Sequence, residues 1–326
     1  RAAAAGRSLS ASGAGHSQAA LLARSRTGIR DRLQAFVCGR GVVYDTDSSE
    51  DPVIPMPAPT AANGRTIAII GTGFSGLCMG IHLKKHGFND FVIFEKAARV
   101  GGTWRDNTYP GAGCDVPSHM YSFSFAPNPD WSQVYSPQPE ILAYANHVAD
   151  RFDLRRDIVF NTRVTSAVFD EKSERWRVET DGGETVEARF CIMAVGCLSS
   201  ANKPAFKDME KFAGPIYHTG EWPHDGVDFT AKRVGVIGTG SSAIQSIPII
   251  AEQAKTLTVF QRTPNYSVPA WNAKLTDDYR KQIKAGYPAL RAKARARPTG
   301  FYFKFNTAPA LEASPEERRR QYETAW

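Results

Sequence analysis

The stretch Thr66-Ile-Ala-Ile-Ile70, followed by Gly71-Thr-Gly73-Phe74-Ser75-Gly76 and then Leu77–His86, decides the fold. A β-branched run, a glycine turn and a helical stretch lead into a second apolar run, Phe91–Glu95. That is a strand–turn–helix–strand unit, which lays two parallel strands side by side. Glycines in such a turn let the backbone approach a pyrophosphate, and the helix N-terminus offers N–H groups and a positive dipole end. A glycine triplet alone is weak evidence; a strand before it and a helix after it are the context the chemistry needs.

The unit recurs. Val234-Gly-Val-Ile237 leads into Gly238-Thr-Gly240-Ser-Ser-Ala243, a helical stretch and the strand Thr256–Phe260, 167 residues after the first. The residue closing the second strand separates the copies. It is Glu95 in the first, 24 residues after Gly71, and Arg262 in the second, 24 residues after Gly238. A carboxylate there accepts from ribose hydroxyls and repels a 2′-phosphate, whereas a guanidinium pairs with that phosphate. Arg262 also fits a solvated arginine at a strand end. Read as sites, the pair is one of FAD or NAD type and one of NADP type, which implies electron transfer between a nicotinamide and a flavin.

Between the units, Val164–Phe169 and Arg175–Glu179 alternate, Asp181-Gly182-Gly183 turns, and Glu184–Ala188 alternates again. These predict an antiparallel meander crossing beside the parallel sheet, which returns as Phe190–Val195, a continuous apolar run fit for a buried strand. The fold class is therefore α/β, with two Rossmann-like, doubly wound parallel sheets and a β meander. The expected division is an extension and linker over 1–60, an FAD-binding part over 61–200, an interdomain linker over 201–230 and an NADP-binding part over 231–326. Residues 1–60 are set aside from the fold as disordered or non-native, apart from a short helix at Arg30–Val37. Their Arg- and Ser-rich composition also suits an organellar transit peptide.

Composition excludes other classes. The 326 residues are 42% hydrophobic, and no apolar run reaches the roughly 18–20 residues of a spanning helix, so stable membrane insertion is not expected. Five scattered cysteines without CxxC spacing argue against a disulfide framework, a redox dithiol and a structural zinc site, and point to a cytoplasmic setting. The net charge of +7 comes from the ends: residues 1–40 hold seven Arg against Asp31, and residues 272–326 hold twelve Lys or Arg against six acids. With no basic stripe through the motif-bearing body, nucleic acid is not an expected partner.

Three further motifs carry a resemblance. Phe212-x-Gly214-xxx-His218-xxx-Trp222-Pro223 lies between the glycine loops, Gly101-Gly102-Thr103-Trp104-Arg-Asp-Asn-Thr-Tyr109-Pro-Gly111-Ala-Gly-Cys-Asp115 follows the first, and Gln261-Arg-Thr-Pro-Asn265 follows the second. From Arg65 to Trp326 the chain resembles the type I Baeyer–Villiger monooxygenases, a branch of the class B flavoprotein monooxygenases. The resemblance implies that NADPH reduces FAD, that reduced flavin captures O2, and that a flavin peroxide converts a ketone to an ester or lactone. The cofactors carry that chemistry while the protein orients them. The alternatives are N- or S-oxygenation of an amine or thioether, or an inactive nucleotide-binding remnant.

The resemblance also assigns residues. Gly71, Gly73, Phe74, Ser75, Gly76 and Glu95 fall to the FAD adenosine and pyrophosphate, and Gly102, Thr103, Trp104 and Tyr121 to the flavin side. Val164 falls to an adenine contact, and Asp115 is the active-site aspartate. Thr239, Gly240, Ser241, Ser242, Gln245, Arg262 and Thr263 fall to NADP. Phe212, Gly214, His218, Trp222 and Pro223 form the fingerprint, with His218 in conformational coupling rather than metal binding, since no partner sits at ligand spacing. Trp104, Tyr109, Trp131 and Trp222 suit a core equally well, and an isolated Asp115 would read as a turn cap. Gly113 stands where some members carry Arg. Tyr279–Arg297 reads as a basic helical insertion broken at Pro288 and Pro298, and Ser314-Pro-Glu-Glu317 as a capping box. The family's peroxide-stabilising arginine lies past Trp326, so the chain reads as truncated and residues 1–326 are expected to be inactive alone.

Overall fold

A computed structural model describes residues 64–325, apart from 129, 266–268, 299 and 303–308. The extension over 1–60 and the helix expected at Arg30–Val37 lie outside the described residues.

The first unit forms as the pattern predicts. Strand β1 (Gly64–Ile70) enters the glycine turn, helix α1 (Phe74–Lys85) leaves it, and β2 (Phe91–Phe94) returns parallel to β1. All four residues of β2 are buried, as a strand covered on both faces requires. Leu77 and Ile81 of α1 pack on Ile67, Ile69 and Ile93 in the main core. Each such side chain contributes about 1.5–3 kcal/mol over leaving it in water. Lys84 and Lys85 close the helix, complementing its negative dipole end.

The short helix α2 (Thr103–Asp106) follows the second motif's glycines. Helix α3 (Gln138–Arg151) then buries Ile141, Tyr144, Ala145 and Val148 against the same core. Strand β3 (Ile158–Val159) pairs parallel with β2. The meander is part of the main sheet rather than a layer beside it. β4 (Val164–Asp170) pairs antiparallel with β5 (Arg175–Thr180), and β5 with β6 (Thr185–Met193). The sheet order is β3-β2-β1-β6-β5-β4. The runs expected as two strands, Glu184–Ala188 and Phe190–Val195, are one: β6 pairs antiparallel with β5 through its first half and parallel with β1 through its second. The change from alternating to continuous apolar sequence thus marks a change of neighbour, not an end.

The second unit is β7 (Arg233–Ile237), α4 (Ser241–Gln253) and β8 (Thr256–Phe260), with β7 and β8 parallel. Among the described residues its sheet has these two strands, and Ile237 and Phe260 are 66% and 56% exposed. Helix α5 (Asp277–Arg295) runs through Pro288, where the sequence predicts a break. Proline removes one hydrogen bond, to the carbonyl four residues back. Contacts one turn around it hold α5 down: the Tyr287 hydroxyl donates to the His119 carbonyl, and Arg291 Nη2 donates to the Ser122 carbonyl at 2.7 Å. Helix α6 (Pro315–Ala325) starts as its capping sequence predicts, with the Glu317 N–H donating to Ser314 Oγ at 3.2 Å. No helix among the described residues is long and apolar enough to cross a membrane.

Candidate functional site

The first glycine loop is drawn tight. A Cβ on Gly76 would lie 1.9 Å from the Gly71 carbonyl oxygen, so only glycine lets α1 sit this close to the strand end. Gly102, at φ +53°, would place a Cβ 2.8 Å from the Gly73 Cα. The second motif is thereby pressed backbone to backbone on the first loop. No side chain caps α1 at Gly73, so no cap competes there with an anion for the first N–H groups and the positive dipole end. Ser75 sits exposed on its first turn.

Glu95 stands where expected, one residue past β2, but its surroundings differ from expectation. The carboxylate is 3% exposed. Its Oε2 accepts from Thr72 N at 2.9 Å and Thr72 Oγ1 at 2.5 Å. Its Oε1 accepts from Ala97 N at 3.0 Å and pairs with Arg105 Nη1 at 2.9 Å. A carboxylate has about four acceptor sites, so protein donors use all of them, and a ribose hydroxyl reaching Glu95 has to displace one. Arg105 is itself a buried hub: Nε and Nη2 bind Asp106 at 2.7 and 2.9 Å, and Nη1 binds the Arg99 carbonyl at 2.8 Å. Sequence reasoning missed Arg105 because it fills an unspecified position of the second motif.

The flavin-side residues form an aromatic wall. Trp104 Nε1 donates to the Tyr121 hydroxyl at 2.9 Å, and their rings meet edge to face at 5.5 Å. Phe74 lies 5.3 Å from Tyr121. Burial holds the Tyr121 phenol above its ordinary range, so it stays a neutral partner to the indole. Asn107 Nδ2 donates to both the carbonyl and hydroxyl of Thr103 at 2.9 Å. Trp131 is 1% exposed and packs on Tyr144, the core reading. Val164 starts β4, at the far edge of the sheet from β3.

In the second unit Gly240 caps α4, again without a side-chain cap. Thr239 is held from behind: Gln261 Nε2 donates to its hydroxyl at 2.9 Å, and Asn265 Nδ2 to its carbonyl at 2.7 Å. The motif after β8 therefore shapes the loop before α4. Ser241, Arg262 and Thr263 are exposed at this end, and Ser242 is half-buried. Gln245 points elsewhere. Its Nε2 donates to Asp115 Oδ1 at 2.7 Å and to the Gly113 carbonyl at 3.1 Å, while its Oε1 accepts from the Tyr109 hydroxyl at 2.8 Å. The residue assigned to NADP is spent on the second motif. A side chain on Gly113 would bring its Cβ to 3.2 Å from the Ser136 carbonyl, which the glycine here avoids.

The fingerprint residues make local contacts. His218 Nδ1 accepts from Gly220 N at 3.1 Å, capping a turn. Trp222 is 7% exposed in a small core with Phe229 and Ile250, on which Tyr109 packs. The Pro223 carbonyl accepts from Gly226 N at 3.0 Å, and Gly214 makes room for the Phe212 ring. Among the described residues Cys78, Cys114, Cys191 and Cys197 are all free, and burial pushes the Cys114 thiol up to about 11. No group of three or more His, Cys, Asp or Glu side chains among them is placed to hold a metal.

Residues 68–297 match the family model described as pyridine nucleotide-disulphide oxidoreductase. A Baeyer-Villiger monooxygenase of Pseudooceanicola batsensis is 44% identical over 262 residues, covering 79% of this chain and 48% of that protein. A phenazine N-monooxygenase of Lysobacter antibioticus is 39% identical over 262 residues, again 79% of this chain and 48% of the relative. The structure of an oxidized steroid monooxygenase bound to NADP superposes with a TM-score of 0.73 at 54% identity, covering 81% of this chain and 51% of that one. The chain thus spans about half the length of the relatives it matches.

Proposed function

This chain belongs to the pyridine nucleotide-disulphide oxidoreductase family and carries the motifs of the type I Baeyer–Villiger monooxygenases, and from that premise we propose that it carries the FAD- and NADPH-binding part of a ketone monooxygenase. The reaction is insertion of one oxygen atom of O2 beside a ketone carbonyl, giving an ester or lactone, in the cytoplasm. The parts are an FAD part over 61–200, a fingerprint linker over 201–230 and an NADP part over 231–326. One observation carries the reading: two uncapped glycine-loop helices are tied to the same second motif, α1 through the Gly73–Gly102 contact and α4 through Gln245 on Asp115.

The Gly71–Gly76 loop and the N-terminus of α1 hold FAD pyrophosphate, and Trp104, Tyr121 and Phe74 line the flavin. Thr239, Gly240, Ser241 and Ser242 hold NADPH, and Arg262 with Thr263 reads its 2′-phosphate. Bound flavin and nicotinamide supply the electron transfer and oxygen activation. Asp115 holds a fixed negative charge at the junction of the two units, and the aromatic wall keeps water from the flavin side.

Gly73→Val, which puts bulk into the Gly71–Gly76 loop, is expected to abolish FAD retention as read by the flavin absorbance of purified protein. Arg262→Ala is expected to weaken NADP+ binding about tenfold or more by titration calorimetry while leaving NAD+ unchanged, the loss of about 1.5–3 kcal/mol for a charged hydrogen bond. Wild-type protein that binds neither dinucleotide overturns the reading. The phenazine N-monooxygenase relative favours a second reading, heteroatom oxygenation. Product analysis of the whole enzyme with a cyclic ketone and a thioether separates the two.

A further inference from the structure

Every hydrogen-bonding group of the Gln245 side-chain amide is engaged, and every partner belongs to the second motif. The Tyr109 hydroxyl donates to Oε1 at 2.8 Å, which fixes the amide the right way round. The two N–H hydrogens then point at Asp115 Oδ1, 2.7 Å away, and at the Gly113 carbonyl, 3.1 Å away. An amide has two donors and an oxygen with two lone pairs, so both donors are used and one acceptor position remains. The backbone beneath it is equally committed: a Cβ on Gly111 would lie 2.2 Å from the Gln245 carbonyl oxygen. Gly111, at φ +76°, lets α4 settle on the motif loop, and Tyr109 continues the contact into the core around Trp222 and Ile250.

We propose that Gln245 is the positioning residue of Asp115: an amide on the second unit's helix, oriented by Tyr109, holds the first unit's carboxylate, so that the second glycine loop cannot shift without releasing it. This rests on the reading above only in taking Asp115 as the working carboxylate. Gln245 sits on the second turn of the helix that opens from Gly240, four residues from the exposed Ser241. A displacement of that helix start is therefore transmitted to Oδ1 by one side chain. A dinucleotide that recruits the Gln245 amide has to take it from Asp115.

The test uses the whole chain without added cofactor, so its outcome is independent of whether FAD and NADP+ bind. Gln245→Glu keeps size and the Tyr109 contact but sets a carboxylate against Asp115. Two carboxylates this close do not both ionise without cost. The penalty is absent where both are protonated and grows as pH rises through the carboxylate range. The Cys114 thiol beside them, pushed up to about 11, stays neutral throughout. The expected result is a melting temperature that falls relative to wild type by roughly 1–3 °C more at pH 8 than at pH 3.5, where both carboxyls are largely protonated. Adding Asp115→Asn to Gln245→Glu, which re-forms an amide–carboxylate pair in reverse, is expected to remove that pH-dependent part. A variant that folds only at pH 3.5 is the same result at its extreme.

A purely packing role moves the melting temperature equally at both pH values and gives no rescue by the swap; either outcome overturns the proposal. Should Gln245→Glu fold at neither pH, Gln245→Met and Tyr109→Phe decide. If Tyr109 acts through the amide, the double variant melts where Gln245→Met does, and additive losses overturn the assignment.

Discussion

Gly73 and Gly240 cap their helices with nearly the same backbone, φ −68° and ψ −177° in the first loop, φ −75° and ψ −178° in the second. Around the first, β2 is wholly buried, Gly76 touches the Gly71 carbonyl, and the closing Glu95 is 3% exposed among four donors. Around the second, an added Cβ on Gly238 or Gly240 meets nothing within 4 Å, β8 is mostly exposed, and the closing Arg262 is exposed. The turn geometry is local and follows from glycine, strand and helix propensity. Burial is not local: it depends on β3, β6 and α3, which the first unit has against it.

The largest test of this contrast is the buried charge cluster that only the first unit owns. Arg105→Met leaves the Glu95 and Asp106 carboxylates without their cation, and breaking such a pair costs about 3–5 kcal/mol. Arg262→Met, at the exposed strand end, changes stability by less than about 0.5 kcal/mol. Urea denaturation of both variants measures the difference. Combining Arg105→Met with Glu95→Gln is expected to recover part of the loss, because a neutral amide needs no counter-charge. Equal losses in Arg105→Met and Arg262→Met would mean that the first unit's closing residue is no better integrated than the second's.

Helix α5 packs on the first part of the chain through His119 and Ser122, and a pH dependence is expected there. His119 is 4% exposed, with its ring near Tyr279 and Tyr302 and its Nε2 without a hydrogen-bond partner. Burial, and then the Arg291 guanidinium, push its pKa down from 6.5 to about 4. The unfolded chain therefore binds a proton between about pH 6.5 and 4 that the folded chain refuses. Stability falls as pH drops through that window, by up to about 3 kcal/mol, and is constant from this source above it. His119→Phe is expected to flatten that part of the pH–stability curve. An unchanged slope would place the folded-state proton elsewhere.

How much was legible in the sequence divides along the same line. Both glycine loops, β1, β2, β7, β8 and the Ser314 cap follow from spacing, because each is set by residues close in sequence. The meander's merger with the main sheet was not legible, since Thr185–Met193 changes partner without any breaking residue. Nor was the continuity of α5 through Pro288, which rests on Tyr287 and Arg291 reaching residues 119 and 122. At the site, the aromatic wall and Asp115 were marked by their motif. The employment of Glu95 by Thr72, Ala97 and Arg105, and of Gln245 by Asp115, was not. A motif records which residue type is present, while its bonding partner is a matter of tertiary contact.

The third loop position gives the finest comparison, because the units themselves differ there: Gly76 in the first, Ala243 in the second. Gly76→Ala imports the second unit's residue. A helix interior gains up to about 1 kcal/mol from that change. Here the new Cβ would sit 1.9 Å from the Gly71 carbonyl oxygen, which belongs to the turn and has no flexible end to move aside. Overpacking costs about 1–3 kcal/mol, and a 1.9 Å approach to a backbone oxygen puts this case at the upper end, so the clash exceeds the gain by about 2 kcal/mol and α1 has to lift from the strand end. The reverse exchange, Ala243→Gly, removes a methyl from a half-buried helix position and costs about 1 kcal/mol through backbone entropy alone. The expected ranking by chemical denaturation is therefore Gly76→Ala below Ala243→Gly, with Gly76→Ala alone also disturbing the α1 N-terminus as read by amide exchange at residues 74–77. A stabilised Gly76→Ala would mean that the first helix has the clearance of the second, and that the two loops differ in sequence without differing in fit.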